Sequence, residues 1–217
     1  MIDFHSHILP GVDDGSKTVE MSHAMLLLQQ AQGVDAVIAT PHFYALQDDP
    51  ESFLRRRQAA VESLGETAVP VICGAEVAYF NGISRCEELS RLRIGDTSLL
   101  LLEMPFGPWP SRVVDEVMGL MTVTGSVPVI AHIDRYRSQI RKYGDELLEQ
   151  GVLFQCNANA FLHFGSRRWA LNELHAGKIR FIGSDCHNLT TRAPNLGAAA
   201  AVIREKLGEN PILTEQI

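Results

Sequence analysis

Seven short apolar runs recur along the chain: "MIDFHSH", "DAVIATPH", "AVPVICGAE", "SLLLLEMP", "SVPVIAHID", "VLFQCNANA" and "IRFIGSDCH". Most are nearly continuous in Val, Ile, Leu and Ala instead of alternating with polar residues. That pattern predicts parallel strands buried on both faces. Their starts lie roughly 25 to 35 residues apart, the repeat of a strand and a returning helix.

Helical patterns fill the gaps. Ser16 is placed to cap a helix through "MSHAMLLLQQAQ" that Gly33 ends. "DDPESFLRRRQAAVESLG" offers Asp49 as cap, Pro50 at the first helical position, Glu51 in the first turn and Gly65 as stop. Ser84 and Glu87 have the spacing of a capping box. Val113, Val117, Leu120 and Met121 keep one helical stripe after Ser111. "YGDELLEQG", "RRWALNELHAG" and "LGAAAAVIREKLG" supply the remaining helices. No linker or low-complexity stretch interrupts the repeats. The expectation is one α/β domain over residues 1–217, an incomplete or distorted TIM-like (βα) barrel.

Composition narrows the class. The chain has 217 residues, 46% of them hydrophobic, and a formal net charge of −7. Such a balance gives no long-range attraction to nucleic acid or an anionic membrane. No apolar run nears the ~20 residues of a membrane span, and no secretory signal pattern stands at the start. The four cysteines, Cys73, Cys86, Cys156 and Cys186, form no Cys-x-x-Cys pair. Free thiols in a reducing cytoplasm are expected.

Position is the informative feature of the polar residues. Run one ends in His5 and His7, with Asp14 in the loop beyond; run two ends in His42. Runs three, four and five lead to Glu76, Glu103 and His132, and run seven to Asp185 and His187. In parallel βα folds these strand ends open on one face. Taken singly, each residue reads equally well as a surface charge or a satisfied core histidine. Jointly they do not: five of the eight histidines fall at these ends, while His23, His163 and His175 fall in helical patterns. Imidazoles and acids gathered in one dry pocket conflict unless cations balance them. Nine ligands are too many for one ion and suit two or three. Mixed imidazole and carboxylate donors fit Mn, Fe or Zn better than Ca.

Arg135, three residues after His132, and Arg192, five after His187, share that face. A guanidinium there can fork two phosphate oxygens, which points to metal-assisted hydrolysis of a phosphomonoester. Asp134 is available to orient one of them. "CHNLTTR", from Cys186 to Arg192, has the Cys-x5-Arg spacing of thiol-dependent phosphatases. It holds no glycine to let successive amides turn inward, and Asp185 beside the sulfur disfavours thiolate. The basic stretches "RYRSQIRKYG" and Arg55–Arg57 are expected to be solvated helix faces.

In this order, "HSHILPGVDDG", "TPHF", "GAEV", "LLLEMP", "AHIDRY" and "GSDCHN" resemble the PHP (polymerase and histidinol phosphatase) family. They are most similar to its bacterial tyrosine-phosphatase branch, which serves capsule and exopolysaccharide systems. The resemblance implies a distorted (βα)7 barrel with a trinuclear, usually manganese, centre. Position by position it implies one ion on His5, His7, Glu76 and Asp185. A second falls on Glu76, Glu103 and His132, and a third on Asp14, His42 and His187. It selects Asp14 over its neighbour Asp13 as ligand, and Arg135 and Arg192 as the phosphate-binding catalytic arginines. The implied substrate is phosphotyrosine in the tyrosine-rich tail of a polysaccharide-assembly kinase. Histidinol phosphate or another small phosphomonoester, a thiol route through Cys186, and a non-catalytic binding role are the alternatives.

Overall fold

The computed structural model describes residues 1–213. Its strands are β1 (Ile2–Ser6), β2 (Ala36–Ala39), β3 (His42–Phe43), β4 (Val71–Cys73), β5 (Glu76–Ala78), β6 (Leu99–Glu103), β7 (Val127–Ile130), β8 (Leu153–Asn157) and β9 (Phe181–Gly183). Every pairing is parallel, in the orders β1-β2-β4 and β3-β5-β6-β7-β8-β9. The second and third apolar runs therefore each break into two strands. Pro41, which has no N–H to give a ladder, stands at the first break. Gly74 stands at the second, where an added Cβ would lie 2.9 Å from Ile94 Cγ1.

With those halves rejoined, seven staves follow one another in chain order and the sheet curls until its edges meet. Ser6 bridges Cys186 in parallel, His7 N–H donates to Cys186 O at 2.9 Å, and Asp185 N–H donates to His5 O at 2.7 Å. The lower wall is irregular between β4 and β6. There the chain itself fills in, with Gly95 N–H donating to Cys73 O at 2.7 Å and Ile94 N–H to Leu99 O at 2.9 Å. The architecture is the distorted TIM-like barrel expected from the repeat pattern.

The continuous apolar runs reflect two buried faces. Phe4, Ile38, Leu101, Val129 and Phe181 fill the lumen, with the Phe4 and Phe181 rings stacked 3.8 Å apart. Leu100 and Leu102 point the other way, into the larger core that also holds Val117, Leu120 and Ile203 from the helices. Those helices are α1 (Val19–Ala31), α2 (Pro50–Leu64), α3 (Ser111–Thr124), α4 (Arg137–Glu149), α5 (Ala158–Leu162), α6 (Phe164–His175) and α7 (Leu196–Leu207). Among the described residues no helix is long and apolar enough to cross a membrane.

Several local expectations change. Thr18, not Ser16, caps α1 by accepting from Met21 N–H. Ser16 is buried, and its hydroxyl is engaged with Ser22 and Thr18 O. Ser84 and Glu87 make no capping box, because the segment folds as two 3-10 turns, Ile83–Arg85 and Glu87–Leu92. The end of run six turns into α5, which the apolar pattern did not reveal. The basic stretch before "YGDELLEQG" forms the first turns of α4. Its Arg137 lies over the Trp169 ring and donates to Gly165 O, so this face is only partly solvated. Arg57 likewise leaves solvent to donate to Gly74 O at 2.7 Å, holding the bend between β4 and β5. Asp49 caps α2 with Pro50 at its start, as expected.

Candidate metal centre

All nine residues singled out at strand ends lie at the C-terminal mouth of the barrel, and contacts link them into one cluster. Glu76, the first residue of β5, is its hub. Its Oε2 lies 3.1 Å from His5 Nε2, 3.2 Å from His7 Nε2 and 3.1 Å from His42 Nδ1. Its Oε1 lies 2.7 Å from His132 Nε2. Glu103, at the end of β6, is 3.6 Å from that same His132 nitrogen. On the other flank Asp185 Oδ1 is 3.7 Å from His5 Nε2 and 3.5 Å from His7 Nε2. Asp14 Oδ1 reaches His42 Nε2 at 3.6 Å and His187 Nε2 at 3.4 Å.

The imidazoles are oriented from behind. His5 Nδ1 donates to Gln155 Oε1 at 3.2 Å, His7 Nδ1 to Asp13 Oδ2 at 2.6 Å, and His187 Nδ1 to Asp185 O at 3.0 Å. Each acceptor is an oxygen without a proton, so each Nδ1 carries the hydrogen and each Nε2 can offer its lone pair to the cluster. The Nε2 atoms of His5 and His7 face one another across 3.1 Å. Two lone pairs at that distance repel unless a proton or cation lies between them. His187 Nε2 and His132 Nδ1 are buried without a hydrogen-bond partner. This donor set fits divalent cations. Three overlapping groups offer ligand atoms within 4.8 Å of one another: His5, His7 and Glu76; His42, Glu76 and Glu103; and His7, Asp14, His42 and His187. His7 thus stands between two of the groups, where the resemblance gave it to one.

Adjacent Asp13 and Asp14 separate by role. Asp13 is nearly buried and holds the His7 ring, while also accepting from His42 N–H at 2.9 Å and Gly15 N–H at 2.9 Å. Asp14 keeps 64% side-chain exposure and turns Oδ1 toward both His42 and His187.

Electrostatics carry the same conflict. Burial would raise Glu76, but the His5 charge and hydrogen bonds from His132, His5 and His7 outweigh it and hold it well below the usual carboxylate range. Burial would lower His7, yet its bonds to Asp13 and Glu76 push it up to about 10. Burial and then the charge of Glu76 push Glu103 up to about 7. Burial and the His7 charge lower His187 to about 4. Protons on imidazole therefore perform the balancing that cations can take over, and cation uptake must release them.

The arginines converge on a single acid. Arg135 Nη2 donates to Asp185 Oδ2 at 2.6 Å and Arg192 Nη2 to Asp185 Oδ1 at 2.7 Å. Asp134 does not orient Arg135; its Oδ1 accepts from Asn157 N–H at 3.0 Å. Among the described residues only His132, at φ +34°, and Asp185, at φ +53°, are non-glycines in the left-handed region. Backbone strain is thus concentrated at two cluster residues.

Sequence reading missed the supporting residues. Gln155 accepts from His132 N–H at 2.6 Å, and Asn157 Nδ2 donates to Asp185 Oδ2 at 2.9 Å. Their signal was available: polar residues two apart inside an apolar run, in the one stave given no ligand. Asp3 left less trace. It is wholly buried on β1 and accepts from Ser184 N–H at 2.7 Å and Gln29 Nε2 at 2.6 Å. Cys186 is also wholly buried, and burial with the nearby Asp3 charge raises its thiol well above the ordinary range, which removes it as a nucleophile.

Comparison with known proteins agrees with the fold. Tyrosine-protein phosphatase YwqE of Bacillus subtilis is 29% identical over 221 residues, covering 96% of this chain and 85% of the relative. Tyrosine-protein phosphatase CpsB of Streptococcus pneumoniae is 29% identical over 225 residues, covering 96% and 91%. Crystal structures of YwqE and CpsB from these organisms, described as unique metal-dependent tyrosine phosphatases, include a match with TM-score 0.81 and 26% identity. It covers 98% of this chain and 90% of that one. The family model described as "Capsular polysaccharide synthesis, CpsB/CapC" matches residues 1–215, and the chain belongs to that family.

Proposed function

We propose that this chain is a metal-dependent phosphomonoester hydrolase that removes phosphate from protein tyrosines. The observation that carries the reading is the set of buried imidazoles oriented from behind, with nitrogens turned to Glu76 beside two arginines. His5, His7, Glu76 and Asp185, Glu76 with Glu103 and His132, and Asp14 with His42 and His187 would hold two or three divalent ions, Mn²⁺ first and Fe, Zn or Mg as alternatives. Such cations polarise phosphoryl oxygens and lower the pKa of the attacking water.

The protein's own groups supply the rest. Arg135 and Arg192 each keep donors beyond the one given to Asp185, and a phosphoryl group beside that acid is within reach of both. Asn157 and Gln155 fix Asp185 and the His5 and His132 positions from below. A tyrosyl leaving group with a pKa near ~10 needs less help from a general acid than an alkyl alcohol does, so none is assigned. The physiological substrate is the phosphotyrosine tail of a polysaccharide-assembly kinase, in keeping with the family's place in capsular polysaccharide synthesis. Residues 1–217 act as one domain. Four free cysteines support a cytoplasmic setting, and the net charge of −7 supports a protein substrate over nucleic acid.

The test is a panel of phosphotyrosyl peptide, phosphoseryl peptide and histidinol phosphate, each assayed before chelation, after it, and with Mn²⁺ restored. Phosphotyrosyl peptide should turn over fastest, stop with chelator and recover with Mn²⁺. Faster turnover of histidinol phosphate would move the reading to small molecules. Turnover that ignores chelator but is lost in Cys186→Ser would restore the thiol route. Arg192→Ala should raise KM by about tenfold with a smaller effect on kcat and unchanged bound metal, read from steady-state kinetics and metal analysis.

A further inference from the structure

The loop after β6, "EMPFGPWP", carries three prolines and is tied down along its length. Tyr136 donates its hydroxyl to Met104 O at 2.7 Å, Trp109 its indole N–H to Pro105 O at 3.0 Å, Gln139 to Gly107 O at 2.9 Å, and Tyr143 to Trp109 O at 3.0 Å. Tyr136 and Trp109 are buried in making these bonds. Phe106, on the same loop, is treated differently: 66% of it is exposed. It is held by a rigid frame and turned outward beside the metal cluster, its ring parallel to His132 within 9° at 6.5 Å.

A second exposed ring sits across the cluster. Tyr44, just past β3, lies nearly parallel to His42 at 5.2 Å and is 38% exposed. It forms part of the wall of a cavity of about 590 Å³ that also reaches Asp14, Gln47 and Arg56. His42 and His132 approach opposite oxygens of Glu76. The two rings therefore stand over imidazoles on the two sides of one carboxylate, while the arginines gather at Asp185. The arginine side adjoins the Tyr44 cavity, because Arg192 Nη1 lies 4.0 Å from Asp14 Oδ2 and Asp14 lines that cavity. An apolar ring fixed in solvent gains nothing until another apolar surface covers it, and a pre-set loop loses little entropy when that happens.

We propose that Phe106 and Tyr44 are specificity-determining residues that grip the phenyl ring of the phosphotyrosine substrate. This rests on the phosphatase reading above and adds the basis of its choice of aryl over alkyl esters. Stacked or edge contacts of this kind correspond to about three- to tenfold in affinity for each ring.

Leaving-group chemistry also favours aryl esters, so the test uses ligands that cannot react. Benzylphosphonate and methylphosphonate are compared as inhibitors of phosphotyrosyl-peptide hydrolysis by the Mn²⁺-loaded protein. Benzylphosphonate should bind more tightly to the parental protein. Phe106→Ala and Tyr44→Ala should each cut that preference about three- to tenfold, with bound metal and the methylphosphonate inhibition constant unchanged. Phe106→Tyr should restore it, which a general loss of packing would not allow. An equal preference in the parental protein and both alanine variants, or none in the parental protein, overturns the proposal and leaves the phosphatase reading standing. No hydrolysis of any phosphomonoester by the Mn²⁺-loaded parental protein overturns both.

Discussion

Glu76→Gln is expected to lower kcat/KM for a phosphotyrosyl peptide by about a thousandfold or more, equivalent to ~4 kcal/mol of transition-state stabilisation. The substitution keeps the shape of the side chain and removes its charge. Four imidazole nitrogens lie within 3.2 Å of the Glu76 oxygens, whereas Asp185 meets two of them and Glu103 one, each at 3.5 Å or more. Metal content of the purified variant should fall in parallel. Asp13, and after it this same Glu76 charge, holds protons on His7 in chelated protein. His7 is raised to about 10, against an unfolded value of about 6.5. Its contribution to stability is then complete below about pH 6.5 and is lost as pH rises through about 10. Glu76→Gln should flatten that dependence in chelated samples. Cation uptake by the parental protein should strengthen over the same rise, because protons and metal compete for the same nitrogens. Turnover within tenfold of the parental value at normal metal content would remove Glu76 from the centre of the mechanism.

Gly183→Ala should be nearly as damaging by a different route. An added Cβ there would lie 2.5 Å from His5 Cβ and 2.7 Å from His5 N. These atoms belong to the first stave of the barrel and cannot rotate away, so β9 must shift from β1. Overpacking of this kind costs about 3 kcal/mol, which for a chain of this size lowers Tm by about 6–12 °C. His5 moves with it, and a misplacement of about 1 Å at a reacting centre costs on the order of a hundredfold in rate. Gly165→Ala is the control. It lies in α6 with nothing within 4 Å of the added atom, so Tm should hold or rise. Equal melting temperatures for the two variants would show that the β1–β9 contact is not under such constraint.

Much of this was legible from residue pattern. Continuous apolar runs mark the staves because both faces of each strand are buried, as Leu100, Leu101 and Leu102 show in β6. Ligand-type residues at run ends mark the mouth because parallel strands all finish there. What escaped depends on three-dimensional neighbours. Ser16 has the chemistry of a cap, but its hydroxyl is taken by Ser22 and Thr18 O. The breaks at Pro41 and Gly74 are local kinks inside runs whose apolar pattern continues across them. Asp13 and Asp14 have the same chemistry and differ only in which imidazole each meets. Phe106 carries no signal in sequence, since its exposure follows from bonds that Tyr136, Gln139 and Tyr143 make to the loop around it.

The closure of the first stave on the last has a temporal consequence. Asp3 and Ser184, whose hydrogen bond helps seal that closure, are 181 residues apart in the chain. A growing polypeptide cannot assemble the pocket until its final stave leaves the ribosome, so prematurely terminated products stay inert. In the finished molecule, a cation shared by His5 and Asp185 would serve as a removable cross-link over almost the whole chain. Chelation should then quicken amide exchange first in β1 and β9, where the two ends are fastened.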